Sequence, residues 1–280
     1  MGSARRGTGI GKPAMRVQVL TVVLNARRAP VLIAGWGTGR PLGVAGAGLA
    51  STLAIAFGVV LLAVYFRRLE HDVAYDRALA TPRLDTWRRI LKIGTPAGAE
   101  ILMMFLIMGA IYAAIRPFGA DAQAGFGIGN RINQALFLPV MAVAFAVAPV
   151  AGQNFGAGLH DRVRETFRFV ALFGSGLMLV MTALCHWQPE AMVRLFTNDD
   201  EVIAVGVQFL RYISWNYVAA GLIFACSGMF QALGNTLPSL LSSASRLVTF
   251  AVPVTLLSHR PGFELHEVWV LSVATTLLQA

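Results

Sequence analysis

Glu100 lies well inside a long apolar segment of this 280-residue chain, and no other carboxylate does. An ionised side chain in apolar surroundings costs at least a few kcal/mol, so an acid in this position is a functional candidate by default. It follows Pro96 by one helical turn, where the proline ring removes a backbone hydrogen bond and leaves polar groups available. Two interpretations are open. Glu100 is either a coupling-ion carboxylate that alternates between protonated and ionised forms, or a neutral acid hydrogen-bonded to a neighbouring helix.

A polar turn and a methionine group are further candidates for binding. Arg131, with Asn130 and Gln134, interrupts another apolar segment near its end. These side chains either line a cavity or extend to an aqueous boundary. Met104, in a Met-rich stretch, offers adaptable apolar surface that suits varied ligands, although ordinary packing explains it equally simply.

An aromatic group forms the third candidate site. Trp215, Asn216 and Tyr217 are consecutive, and Arg211 lies one turn before Trp215. Aromatic faces bind organic cations. Trp and Tyr near the end of a membrane span also form the usual interfacial belt, and the belt is the commoner explanation.

The composition indicates which elements must position these residues. Hydrophobic residues make up 56% of the chain and charged residues 13%, against roughly 25% charged in soluble proteins. So few charges cannot cover a globular surface, and lipid must cover much of the chain. An ordinary cytosolic enzyme, a disordered chain and a disulfide scaffold are therefore excluded.

The chain contains eight apolar segments, and a helical span needs about 20 residues. The segments are 15–35, 44–66, 93–115, 123–152, 167–186, 204–230, 238–258 and 268–280. The last one is too short to cross a bilayer, and we interpret it as a span cut off by the end of the chain. Arg27 and Arg28 lie inside the first segment, where they either face an aqueous cavity or fit the helix poorly.

The basic residues set the orientation. Placing the N-terminus in the cytoplasm puts fourteen basic residues on the inside and four on the outside, a clear positive-inside bias. The fourteen are Arg5, Arg6, Lys12, Arg16, Arg67, Arg68, Arg77, Arg83, Arg88, Arg89, Lys92, Arg162, Arg164 and Arg168, and the four are Arg40, Arg116, Arg194 and Arg260. The net charge of +9 is thus a topology signal and does not indicate a nucleic-acid partner.

Motifs for other functions are missing from the sequence. The glycine-rich stretches 35–39 and 125–129 lack the Lys-Ser/Thr of a phosphate-binding loop. The His and Cys residues show no metal-ligand spacing. We therefore predict no metal, no cofactor and no enzymatic activity.

An internal repeat relates the two ends of the chain. Pro30 precedes Thr52 by 22 residues, as Pro253 precedes Thr275, and in both cases a proline-containing span leads into a span with small residues. Transporters are commonly built from such repeats, with the substrate cavity between them.

Several motifs give the chain a family resemblance. In order along the chain they are PVLI at 30–33, PLGVAGA at 41–47, KIGTP at 92–96, GIGNRI at 127–132, GQNFGA at 152–157 and QALGNT at 231–236. These stretches, with Pro238 and Arg246, resemble the fifth to eleventh helices of multidrug and toxic compound extrusion (MATE) transporters. The resemblance covers most of the chain.

The resemblance implies an all-α polytopic membrane protein with the MATE-like two-bundle fold. It divides the chain into a basic cytoplasmic segment at 1–14, the last two helices of the N-terminal bundle at 15–66, a cytoplasmic linker at 67–92, and an incomplete C-terminal bundle at 93–280. The family's first four helices are then missing, and the last helix is truncated. Pro30, Pro96, Gly156 and Pro253 are the expected structural or hinge positions, with Gly156 supplying the positive φ of a helix end.

The resemblance also implies H⁺- or Na⁺-coupled antiport of drugs and organic cations out of the cell, by a monomer in the cell membrane. Some members use a seventh-helix carboxylate about one turn beyond the position of Glu100, paired with an acid in the tenth helix. Here the corresponding residues 217–221 include no acid. The expected substrate-cavity residues are Arg131, Asn130, Gln134, Met104, Trp215, Asn216 and Tyr217.

Two other functions remain open. A lipid-linked oligosaccharide flippase of the same superfamily would collect Arg131, Arg211 and Arg246 in one central cavity to bind pyrophosphate. A non-transporting membrane fragment would agree with the missing helices.

Overall fold

The structure is a computed structural model that describes residues 12–36, 39, 41–69 and 83–280. The chain divides into two compact units, 1–83 and 84–280. Their boundary falls inside the predicted linker 67–92. Of the predicted basic segment 1–14, residues 1–11 lie outside the described part of the chain.

The first unit contains two packed helices, α1 (Lys12–Ala34) and α2 (Gly43–Leu69). The Asn25 amide of α1 donates to the Ser51 hydroxyl of α2 at 3.4 Å. Arg27 and Arg28 are both exposed on α1, which continues through them and through Pro30. The chain therefore keeps its helical conformation at both arginines, although each interrupts an apolar segment.

The second unit contains eight helices among the described residues. They are α3 (Leu84–Ile115), α4 (Ala120–Gly156), α5 (His160–Trp187), α6 (Pro189–Arg194), α7 (Asp200–Ile213), α8 (Tyr217–Ala232), α9 (Leu237–Ser258) and α10 (Leu265–Gln279). Short 3₁₀ turns at Arg116–Phe118 and Ser214–Asn216 lead into α4 and α8.

The described residues include seven segments that are long and apolar enough to cross a membrane. Each of them overlaps one of the first seven predicted segments, and the all-helical multi-pass fold class is confirmed. Many large apolar side chains remain exposed, such as Leu172 at 76% and Phe105 at 70%. Such exposure suits helices whose outer surface is covered by lipid.

Helix α4 is the centre of the second unit and packs against α5, α7 and α8. Phe126 of α4 stacks on Trp269 of α10 with ring centroids 5.5 Å apart, and Phe209 of α7 meets both rings edge-on. At Gly228 of α8 an added Cβ would lie 2.9 Å from the Ala144 carbonyl oxygen of α4. The small residue therefore allows these two helices to approach closely.

Two features of the helices differ from the sequence prediction. Helix α3 begins at Leu84, so the last part of the predicted linker 67–92 is helical. The exposed charges Arg88, Arg89 and Lys92 lower the hydropathy of this turn but favour a helix, and Asp85 suits its first turn. The sixth predicted apolar segment, 204–230, is not one continuous α-helix, because the 3₁₀ turn at Ser214–Asn216 interrupts it. Its 3₁₀ turn includes Ser214, whose hydroxyl donates to the Arg211 carbonyl and competes with the backbone ladder.

The prediction that Gly156 supplies a positive φ is wrong. Gly156 is the last helical residue of α4, and the positive φ of 74° belongs to Gly158. The Gly158 amide donates to the Phe155 carbonyl, and the Leu159 amide donates to the Asn154 carbonyl. This pair of hydrogen bonds places the residue with positive φ, Gly158, one position after the C-cap residue Ala157.

Candidate functional site

The turn that connects α8 to α9 is hydrogen-bonded to α3 beside Pro96. The buried Thr236 hydroxyl donates to the Ile93 carbonyl at 3.0 Å. Ile93 belongs to the helical turn before Pro96, where a proline ring disturbs the backbone ladder. Thr236 therefore satisfies a polar backbone group in this turn and fixes α3 against the start of α9.

Glu100, one turn further along α3, contacts Ser227 of α8. The Ser227 hydroxyl lies 2.8 Å from both carboxylate oxygens of Glu100 and donates its single proton to one of them at a time. Ser227 is buried and Glu100 partly buried. Among the described residues, no Lys, Arg or His nitrogen lies within 4.0 Å of the carboxylate.

This contact can hold Glu100 in either protonation state. A serine hydroxyl donates to an ionised carboxylate and accepts from a protonated one, so the hydrogen bond is possible with either form of Glu100. Two carboxylate oxygens beside a hydroxyl oxygen also provide oxygen ligands for a small cation. Both interpretations of Glu100 from the sequence agree with this geometry.

Sequence reasoning missed Ser227 and Thr236. The family resemblance indicates residues 217–221 of α8 as the position of an acid, but the α8 side chain that meets Glu100 is a serine further along the helix. A lone Ser between Cys226 and Gly228 gives no periodic signal, since small polar residues are common in membrane helices. Only the packing of α3 against α8 identifies it.

The polar turn of α4 does not join this site. Arg131 and Gln134 are exposed, Asn130 is partly buried, and Met104 of α3 is 50% exposed. None of the hydrogen bonds or ion pairs within the described ranges connects them to Glu100. The structure thus leaves these four residues on accessible faces of their helices.

The aromatic group separates into one exposed and two buried residues. Trp215 is 66% exposed, with its ring 5.0 Å from that of His186. The buried Asn216 amide donates to the Thr276 hydroxyl of α10 at 3.3 Å. The buried Tyr217 hydroxyl lies 3.6 Å from the Cys185 sulfur of α5. Of the three, only Trp215 remains available to a ligand.

An open groove accompanies Trp215 at this end of the unit. It has a volume of about 560 Å³ and is lined by His186, Ala204, Val207, Gln208, Arg211, Tyr212 and Trp215. The lining includes Arg211 but neither Arg131 nor Arg246. The three arginines that a pyrophosphate site would need are therefore not brought together in this groove.

The three prolines predicted as hinges lie inside continuous helices. Pro30, Pro96 and Pro253 are internal to α1, α3 and α9.

Within the described ranges, no group of three or more His, Cys, Asp or Glu side chains could hold a metal ion.

Comparison with known proteins agrees with this architecture. The chain is 25% identical over 269 residues to the "Probable multidrug resistance protein YoeA" of Bacillus subtilis, covering 95% of this chain and 58% of that protein. It is 29% identical over 255 residues to the "Probable multidrug resistance protein YpnP" of the same organism, covering 90% of this chain and 55% of that protein. The chain thus spans about half the length of the curated relatives it matches.

Solved structures share the fold. An outward-facing multidrug resistance MATE family transporter of the MOP superfamily aligns with a TM-score of 0.87 at 23% identity, covering 98% of this chain and 61% of that one. A MATE structure in complex with MaL6 aligns with a TM-score of 0.84 at 22% identity, covering 98% and 62%. The MatE family model matches residues 96–257, more than half of the chain. This multi-pass membrane protein therefore belongs to the MatE family.

Proposed function

We propose that this chain acts in a secondary active transporter that expels drugs and organic cations from the cell in exchange for H⁺ or Na⁺. Membership of the MatE family supports this function, as do the names of its relatives. They include a "Multidrug export protein MepA" of Staphylococcus haemolyticus and a "FAD transporter" of Shewanella oneidensis. The transporter is not an enzyme, needs no cofactor besides its coupling ion, and works as a monomer.

The positive-inside distribution supports a cytoplasmic N-terminus in the cell membrane. With that orientation α8 runs inwards, and Ser227 lies near its inner end. Glu100 is then reached from the cytoplasmic half of the bundle. The groove beside Trp215 opens near the outer end of α5.

The contact between Glu100 and Ser227 is the observation on which the proposal rests. An ionised Glu100 has the Ser227 hydroxyl as its donor among the described residues, so its charge is incompletely stabilised. Binding of a proton or Na⁺ neutralises it. Because the two residues join α3 to α8, the change of charge alters the free energy of that helix contact. Ion binding can then favour one of two helix arrangements, as coupled transport requires.

The variant Glu100→Gln tests the proposal. It keeps the size and hydrogen-bonding capacity of the side chain but cannot exchange a proton, so we expect gradient-driven ethidium efflux from membrane vesicles to be lost. Glu165→Gln, which changes an exposed acid of α5, is the matched control and should retain efflux. Unchanged, gradient-dependent efflux by Glu100→Gln would contradict the assignment.

A flippase is less well supported. It needs several cations around one cavity, whereas Arg131 and Arg211 are exposed on α4 and α7, and Arg246 lies partly buried in α9. A non-transporting protein would be recognised by stable membrane expression without ethidium efflux.

A further inference from the structure

Arg246 lies on the face of α9 that is buried in the second unit. Ser239, Ser243, Phe250 and Val254 are buried, and together with Arg246 they follow the spacing of one helix face. Arg246 itself is partly buried. Its charge therefore points into the unit, within a helix long and apolar enough to cross a membrane.

This cation has no partner among the described residues. Its Nε atom is buried and forms no hydrogen bond. No carboxylate oxygen within the described ranges lies within 4.0 Å of its guanidinium. An unpaired charge inside a membrane span is costly and marks a functional site by default. Another molecule can therefore supply the counter-charge that the described residues do not.

Two further polar side chains lie near Arg246 along the contact between α9 and α10. Ser243 precedes it by one turn on the same face, where side chains are roughly 5–6 Å apart at Cβ. The Gln279 amide of α10 donates to the Ser243 hydroxyl at 3.4 Å, and its Oε1 atom is buried without a partner. The hydroxyl and the amide therefore meet between α9 and α10, one helical turn along α9 from Arg246. A carboxylate or phosphate accepts hydrogen bonds from the guanidinium, from the hydroxyl and from the second N–H of the amide, and the planar guanidinium suits it best. The unpaired Gln279 Oε1 atom is itself an acceptor and needs a donor, such as a remaining N–H of the guanidinium.

Glu100 is the one acid of a membrane-spanning segment that could compete for Arg246. The Thr236–Ile93 hydrogen bond sets the register of α9 against α3. Glu100 follows Ile93 by seven residues along α3, and Ser243 follows Thr236 by seven residues along α9. The helical rise therefore places Glu100 and Ser243 at similar heights, each about 10 Å beyond the Thr236–Ile93 hydrogen bond. Glu100 already accepts from Ser227, however, and it lies more than 4.0 Å from Arg246.

We propose that Arg246, with Ser243 and Gln279, binds the anionic group of an amphiphilic ligand, a carboxylate or phosphate, inside the membrane-spanning part of the protein. The inference rests on the proposed function and specifies its substrates. They include compounds that combine an apolar ring system with one negative charge, besides the organic cations.

Direct binding tests this without any ion gradient. We choose 2-naphthoate and its neutral analogue 2-naphthamide as probes, and isothermal titration calorimetry on the purified full chain in detergent. The wild type should bind naphthoate at least tenfold more tightly than naphthamide. Arg246→Gln should abolish that preference, and Arg246→Lys should retain part of it because it keeps the charge without the planar fork. Arg168→Gln, an exposed cation of α5, should leave the preference unchanged. Equal binding of the two probes by the wild type, or an undiminished preference in Arg246→Gln, would overturn the proposal.

Thermal unfolding gives an independent readout. Removing an unpaired buried charge should leave Tm unchanged or raise it in Arg246→Gln. If Arg246→Gln and Glu100→Gln each lower Tm and the double variant lowers it no further, the two residues pair with each other and the proposal is wrong.

The anion site and the coupling role of Glu100 can be contradicted separately. Loss of ethidium efflux in Glu100→Gln with no naphthoate preference in the wild type contradicts only the anion site, and the reverse pair of results contradicts only the coupling role.

Discussion

Helix α8 makes polar contacts near both ends, and the two sets differ in how completely they are satisfied. At its start, Asn216 and Tyr217 are buried and meet Thr276 and Cys185, whose side chains are also buried. Near its other end, Ser227 is buried but faces Glu100, an ionisable group that is only partly buried. The first set joins neutral groups inside the core, and the second includes an ionisable carboxyl group whose hydrogen-bond donor among the described residues is Ser227 alone.

This difference indicates that the start of α8 has a structural role and that Ser227, near its other end, has a role in transport. Neutral groups that are buried and bonded on both sides fix a structure, because any rearrangement leaves one of them unpaired. A carboxylate with one donor gains from an additional proton or cation, so its environment changes when an ion arrives. We therefore expect substitutions at the start of α8 to act on stability, and those at Ser227 to act on transport.

Tyr217→Ala should have the largest effect on stability. Tyr217 is completely buried, and its ring meets that of Phe137 edge-on with centroids 5.1 Å apart. Truncating such an aromatic side chain costs roughly 3 kcal/mol or more, through lost packing and the cavity left behind. Unfolding in mixed micelles by titration with sodium dodecyl sulfate measures this free energy. Tyr217→Phe keeps the ring and should lose no more than about 1 kcal/mol. A Tyr217→Ala protein as stable as the wild type would remove the contrast between the two ends.

The sequence predicted the helices well because each span must bury a long apolar surface, which the composition reveals directly. Glu100 was recognised because a charge in such a segment stands out. The partners of Glu100 and Ile93 were not predictable, since Ser227 and Thr236 are ordinary small polar residues until helix packing brings them to α3. Asn216 and Tyr217 were expected to line a cavity, because residue type does not reveal which face of a broken helix they occupy. The 3₁₀ turn at Ser214–Asn216 turns Trp215 outwards and its two successors inwards.

Asn216→Ala should have an intermediate effect. It removes the hydrogen bond to Thr276, but the Thr276 hydroxyl still donates to the Ser272 carbonyl at 2.8 Å. No buried donor is then left unpaired, and we expect a loss of about 1–2 kcal/mol in the free energy of unfolding. Trp215→Ala is the matched control, since this neighbouring side chain is exposed and its loss should change stability by less than about 0.5 kcal/mol. A larger loss for Trp215→Ala than for Asn216→Ala would show that the two residues have been assigned to the wrong faces.

Among the substitutions of the polar contacts at the two ends of α8, Ser227→Ala should have the smallest effect on stability and the sharpest effect on transport. Glu100 is only partly buried, so water can replace the lost hydroxyl, and we expect a change of no more than about 1 kcal/mol in unfolding. Ethidium efflux per molecule of folded protein should nevertheless fall severalfold, because the carboxylate loses its link to α8. Ser227→Thr keeps a hydroxyl and should recover much of the activity, and Cys226→Ala, at the adjacent position, should remain active. If Ser227→Ala instead destabilises the protein as much as Asn216→Ala and leaves efflux unchanged, the Glu100 contact is structural, and both ends of α8 serve only to hold the helices together.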